Sequence, residues 1–91
     1  MNLYQVRIKK HVQRQIDALP GYYRQRIRCL IQALANDPKP SQAQLLRAQQ
    51  NIYRIAIDHY RVVYSIENDI LLIDILKVGP KFGPEFYQEF A

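Results

Sequence analysis

Residues Asn51 to Gly79 read NIYRIAIDHYRVVYSIENDILLIDILKVG, and this stretch decides how the rest of the chain is arranged. From Tyr53 to Ile57 the apolar residues Tyr53, Ile55 and Ile57 alternate with Arg54, Ala56 and Asp58, the period-two pattern of a half-buried strand. Asp58 and His59 supply a tight connection. A second alternation follows, with Tyr60, Val62, Tyr64 and Ile66 on one face and Arg61, Val63, Ser65 and Glu67 on the other, until Asn68 and Asp69 turn the chain again. Ile70 to Val78 is almost continuously apolar, the signature of a central strand covered on both faces, so its two neighbours are expected to expose one face each. Arg54 and Arg61 fall on the polar face of this three-stranded meander, with no row of carboxylates to neutralise them.

Working outward towards the N-terminus, Leu3 to Ile8 alternates as a short edge strand. Val12, Ile16 and Leu19 then recur at helical spacing, and Pro20-Gly21 ends that helix. Tyr22 to Ala35 repeats the pattern with Ile27, Leu30, Ile31 and Leu34, so the two segments form a helical hairpin. Asn36-Asp37-Pro38-Lys39-Pro40 stops the second helix, because proline cannot continue the hydrogen-bond ladder, and Ser41 to about Gln50 reads as a loop. After the meander, Gly79 to Pro84 is irregular, and Glu85 to Phe90 reads as a helical turn or two with Pro84 at its first position. The order βααβββ(α) predicts an α+β domain: a helical hairpin on one face of a mostly antiparallel four-stranded sheet.

A chain of 91 residues suits one domain, 1–91, and an open groove rather than a deep cleft. Thirteen Lys and Arg against eight Asp and Glu give +5, which favours a polyanionic partner: nucleic acid, an acidic protein or an anionic membrane surface. No segment reaches the ~18 apolar residues of a membrane span, and the start, MNLYQVRIKK, lacks the apolar core of a signal peptide; a cytoplasmic location without a membrane partner is expected. The lone Cys29 reads as a buried thiol, and His11 and His59 as a solvated helix position and a turn residue. Glycine-flanked serines, phosphate loops and metal-ligand spacings are missing, so no metal and no cofactor are expected. What remains is cationic and aromatic: Arg54, Arg61, Lys77, Lys81 and Tyr87 could converge on a phosphate beside an aromatic platform.

The combination YRIAIDHYRVVYSIENDILLIDILKVG, followed by a basic residue at Lys81 and by Glu85-Phe86-Tyr87, resembles the signature of the RelE/ParE superfamily of bacterial toxins. The resemblance covers the whole chain, including the early strand, the helical hairpin, the proline-rich break and the leucine-containing loop at Leu45-Leu46-Arg47. The Lys77-Val78-Gly79 tail, followed by a basic residue and a tyrosine, is closer to the RelE branch than to the gyrase-poisoning ParE branch. RelE-type toxins are metal-independent endoribonucleases that cut messenger RNA in the ribosomal A site and are neutralised by an antitoxin. The resemblance implies the same here, with the ribosome, messenger RNA and a cognate acidic antitoxin as partners, and operator DNA reached only through the antitoxin complex. It places Arg54 at the first of two strand lysines of the best-known RelE toxins, Arg61 at the family's phosphate-stabilising strand arginine, and Tyr87 at the tail tyrosine that stacks on the substrate base. Ala56 stands at the second lysine and Gly83 at a catalytic tail arginine, leaving Lys81 as the nearest substitute cation. The catalytic set is therefore Arg54, Arg61, Lys81 and Tyr87, with Lys77 and Arg47 as further RNA contacts. Two alternatives stay open: a non-enzymatic ParE-like toxin that binds DNA gyrase, and a catalytically weakened toxin kept for antitoxin or operator binding.

Overall fold

The computed structural model of the chain describes residues 3–90. Strand β1 (Gln5–Ile8) leads into helices α1 (Lys10–Asp17) and α2 (Gly21–Leu34), then strands β2 (Gln44–Arg47), β3 (Ile52–Ile57), β4 (Tyr60–Glu67) and β5 (Leu72–Pro80), and finally a 3-10 segment, Pro84–Phe90, called the tail below. The sheet order is β1-β5-β4-β3-β2, antiparallel except for the parallel β1–β5 pair. The α+β architecture and the helical hairpin are as the sequence predicts.

The helices lie on the sheet because their stripes match its inward side. Val12, Ile16, Ile27, Ile31 and Leu34 pack with Ile55, Val62, Tyr64, Ile66, Ile73, Ile75 and Val78 in one buried cluster. Full burial of each such aliphatic side chain is worth roughly 1.5–3 kcal/mol. Tyr64 is wholly buried and donates its hydroxyl to the Pro38 carbonyl at 2.7 Å, which closes the proline-rich break over β4. Burial pushes that phenol far above the ordinary tyrosine range. At the sheet's other end Arg7 donates to buried Asp74 at 2.7 Å, directly across the β1–β5 register.

Four expectations need correction. The sheet has five strands: Gln44–Arg47, read as loop, pairs antiparallel with β3 as Gln44 to Arg54, Leu45 to Tyr53 and Arg47 to Ile52. Its register shifts between Leu45 and Arg47, so this edge strand exists by pairing and carries no alternation of its own. The middle strand is β4 rather than β5, and β4 is buried on both faces because Phe86 of the tail packs with Ile52 and Val63 on the side away from the helices. Ile70 and Leu71 belong to the turn before β5 and are exposed, with Leu71 in the left-handed backbone region at φ 52°. Finally, Cys29 is exposed, since it lies about 200° around α2 from the buried Ile27 at 100° per residue.

The unbroken apolar run of β5 has a specific cause. Val63 pairs with Lys77 but Tyr64 with Ile75, so Leu76 is an extra residue in the ladder and the side-chain parity changes across it. Ile73 and Ile75 on one side of the bulge, and Val78 on the other, all face the helices. Lys77 and Gly79 are thereby turned to the opposite face, in register with Val63 and Arg61.

Candidate functional site: a cationic cleft beneath the tail

On the sheet face away from the helices, Gln42, Gln44, Arg54, Ala56, Arg61, Lys81 and Tyr87 line an open cleft of about 520 Å³. Alternation on β3 sends Arg54 and Ala56 to this face, and the pairing of Ala56 with Arg61 and of Gln44 with Arg54 lays four lining residues across three neighbouring strands. The hairpin between β3 and β4 fixes the cationic end. Asp58 takes a left-handed backbone at φ 52°, which its short polar side chain tolerates. Arg61 donates to the Asp58 carbonyl at 2.8 Å and to that of Tyr60 at 3.0 Å. The Lys81 backbone N–H donates to the His59 carbonyl at 2.7 Å, so the residue just past β5 is tied to the same hairpin.

Tyr87 completes the cleft from the tail. The Arg54 guanidinium lies 4.9 Å from its ring centroid and the Lys81 ammonium 5.9 Å, so one aromatic ring is shared by two cations. Three cations and no carboxylate line the cleft, a composition that concentrates positive potential and suits a phosphate. Among the described residues no three His, Cys, Asp or Glu side chains come together as metal ligands.

Of the six residues singled out from the sequence, Arg54, Arg61, Lys81 and Tyr87 meet here, while Lys77 and Arg47 do not line the cleft. Those two hold the tail from below. The Lys77 ammonium donates to the Phe86 carbonyl at 2.8 Å, pairs with Glu89 at 2.6 Å and sits 4.1 Å from the Phe86 ring centroid. Arg47 donates to the Phe90 carbonyl at 3.2 Å. Gln42 and Gln44 are lining residues that sequence reasoning missed. Gln44 becomes visible only once β2 is paired with β3, and nothing in the sequence marks Gln42. At Gly83, a position without a side chain, the Glu85 carboxylate occupies the space a β-carbon would enter.

Similar solved structures include RelE toxins, free and in complex with antitoxin. The free RelE toxin of E. coli, as a double mutant, superposes with a TM-score of 0.79 at 19% identity, covering 96% of this chain and 93% of that one. The toxin in the intact E. coli RelBE toxin-antitoxin complex gives 0.75 at 17% identity, with 88% and 99% covered. In the archaeal RelE-RelB complex from Pyrococcus horikoshii OT3 the match is 0.75 at 27% identity, with 88% and 97% covered. No curated protein sequence matches the chain significantly. The family model of the ParE toxin of type II toxin-antitoxin systems (parDE) matches residues 6–81, and the chain belongs to that family. It is a toxin of a type II toxin-antitoxin system with the RelE-like fold. No helix of the described residues is long and apolar enough to cross a membrane.

Proposed function

We propose that this toxin is an endoribonuclease that cuts messenger RNA on the translating ribosome, without a metal ion. The observation that carries the reading is the convergence of Arg54, Arg61 and Lys81 around the Tyr87 ring in a cleft without carboxylates. RNA brings its own nucleophile. The 2′-oxygen attacks the adjacent phosphorus, the bond from phosphorus to the 5′-oxygen breaks, and a 2′,3′-cyclic phosphate and a 5′-hydroxyl are left. Arg54 and Arg61 hold the phosphate oxygens and stabilise the added charge of the phosphorane. Lys81 gives its proton to the departing 5′-oxygen, the proton of the 2′-hydroxyl passes to water, and Tyr87 stacks on a base to hold the in-line geometry.

In this reading the toxin acts in the cytoplasm as a single domain, and a cognate acidic antitoxin holds it in check. Support for the antitoxin comes from the RelE relatives solved in complex with RelB. Operator DNA would be reached only through that complex.

The test is growth arrest together with message cleavage on translating ribosomes, the cleaved message being checked for a 2′,3′-cyclic phosphate end. Wild type is expected to cleave, whereas Arg61→Ala and Lys81→Ala each lose roughly 10² to 10³ in rate, the ~3 to 4 kcal/mol that a preorganised cation supplies to transition-state charge. A second reading, a non-enzymatic toxin that docks on DNA gyrase, is favoured by the ParE family match and by the neutral Ala56 and Gly83. Arrest with DNA damage and no cleaved message, unchanged in both variants, would establish it over the first.

A further inference from the structure

A second open groove, of about 600 Å³, lies on the helix side of the sheet edge at β3. It runs between Gln25, Arg26 and Cys29 of α2 and Ile57 of β3, and it shares Gln42 and Ala56 with the cleft. The shared residues lie where β3 runs on past its pairing with β2 and forms the sheet edge, and Ala56, exposed and with only a methyl group, leaves that edge low. Arg26 has only exposed and long contacts within the protein: its guanidinium is half exposed, stands 3.8 Å from the Asp58 carboxylate and 5.4 Å from the Tyr22 ring centroid, and makes a long 3.4 Å hydrogen bond to the Tyr22 hydroxyl. Asp58 is itself engaged by the Tyr23 hydroxyl at 2.7 Å. The groove lining carries no carboxylate, and Ile57 supplies an apolar wall.

We propose that the single-stranded message continues from the cleft across Ala56 and Gln42 into the α2 groove, where Arg26 holds a phosphate neighbouring the scissile one and Ile57 receives the flanking base. This rests on the nuclease reading above. The occupant is taken to be the same strand because the two grooves meet at Gln42 and Ala56 on the β3 edge, both linings lack carboxylates and both carry a cation. Arg26 is a binding residue here: it acts on the strand before and during cleavage alike, so its loss changes affinity and leaves the chemical step intact.

The experiment measures cleavage on message-programmed ribosomes for wild type, Arg26→Ala, Arg26→Lys and Ala56→Leu. Arg26→Ala is expected to raise KM about tenfold with kcat nearly unchanged, as a charged hydrogen bond is lost, and to flatten the slope of log affinity against log salt by about 0.7, one phosphate contact on a single strand. Arg26→Lys keeps the charge and restores most of both, whereas Ala56→Leu, which raises the edge between the grooves, increases KM as well. In parallel, Cys29, the single cysteine of the chain, is labelled with a photoactivatable maleimide and the complex irradiated on a message carrying a 2′-deoxy nucleotide at the cleavage position. A cross-link to the message within a few nucleotides of that position supports the path. Cross-links confined to ribosomal RNA or protein, or a wild-type KM and salt slope in Arg26→Ala, overturn it. A wild type that cleaves no message is a different result, since it removes the nuclease reading itself.

Discussion

Tyr87 shares its ring with Arg54 and Lys81, so the face of the ring is what the cleft organises and the hydroxyl is spare. Stacking uses that face, and its loss costs ~1–3 kcal/mol per base. Tyr87→Phe is therefore expected to cleave message within about threefold of wild type, while Tyr87→Ala falls roughly 10- to 100-fold; equal losses in both would show that the hydroxyl does the chemistry. Tyr64 is the opposite case, a ring whose hydroxyl is buried and bonded to Pro38. Its folded-state pKa is raised, so its contribution to stability is complete below the ordinary tyrosine range, near pH 10, and is lost as pH climbs towards the folded value. Followed by tyrosinate absorbance and circular dichroism, an alkaline titration is expected to show one late ionisation that coincides with loss of helix. All seven tyrosines ionising together in an intact fold would refute this. At this scale the sequence was informative where side-chain parity is regular, as for Arg54 and Arg61. It was silent where a side chain's partner is a remote backbone carbonyl: Arg47 reaches Phe90 over 43 positions, and no local pattern records such a contact.

Among the elements, the tail is held in place by a few identifiable groups. Phe86 anchors it on Ile52 and Val63, and Lys77 and Arg47 bind its carbonyls. Lys77→Ala is expected to loosen residues 84–90, seen as faster proteolysis there, and to lower cleavage about tenfold through a displaced Tyr87, with the melting temperature of the sheet little changed. If activity falls while the tail stays protected, Lys77 touches RNA directly instead. The two elements that departed from expectation did so for one reason, irregular pairing. Leu76 interrupts the β5 ladder and hides the alternation of the strand, and Leu45-Leu46 form a strand only because β3 offers them an edge. Period-two reading assumes a regular ladder, and both bulges break that assumption.

For the whole molecule the helix-sheet arrangement was legible because each apolar stripe has one period and one side. The excess of positive charge was equally plain, and it bears on the partner. An acidic antitoxin that folds on the toxin needs apolar contact as well as charge, because ordering a chain is costly. Co-purification with the cognate antitoxin is therefore expected to survive roughly 0.5 M salt, where exposed charge pairs beyond a few Å are screened. Release by salt alone would reduce the complex to electrostatics.

The parallel pairing of β1 with β5 has a consequence for synthesis. The first strand made has to wait for the last, with Gln5 to Ile8 finding Leu72 to Ile75 only after both helices and three other strands have left the ribosome. Closing so long a loop makes this a late contact in folding. Lys81 and Tyr87 follow β5, so two of the seven residues that line the cationic cleft are translated after the strand that completes the sheet. A nascent copy thus carries Arg54 and Arg61 without the groups they work with, and the ribosome that makes the toxin finishes its sheet before it finishes its cleft.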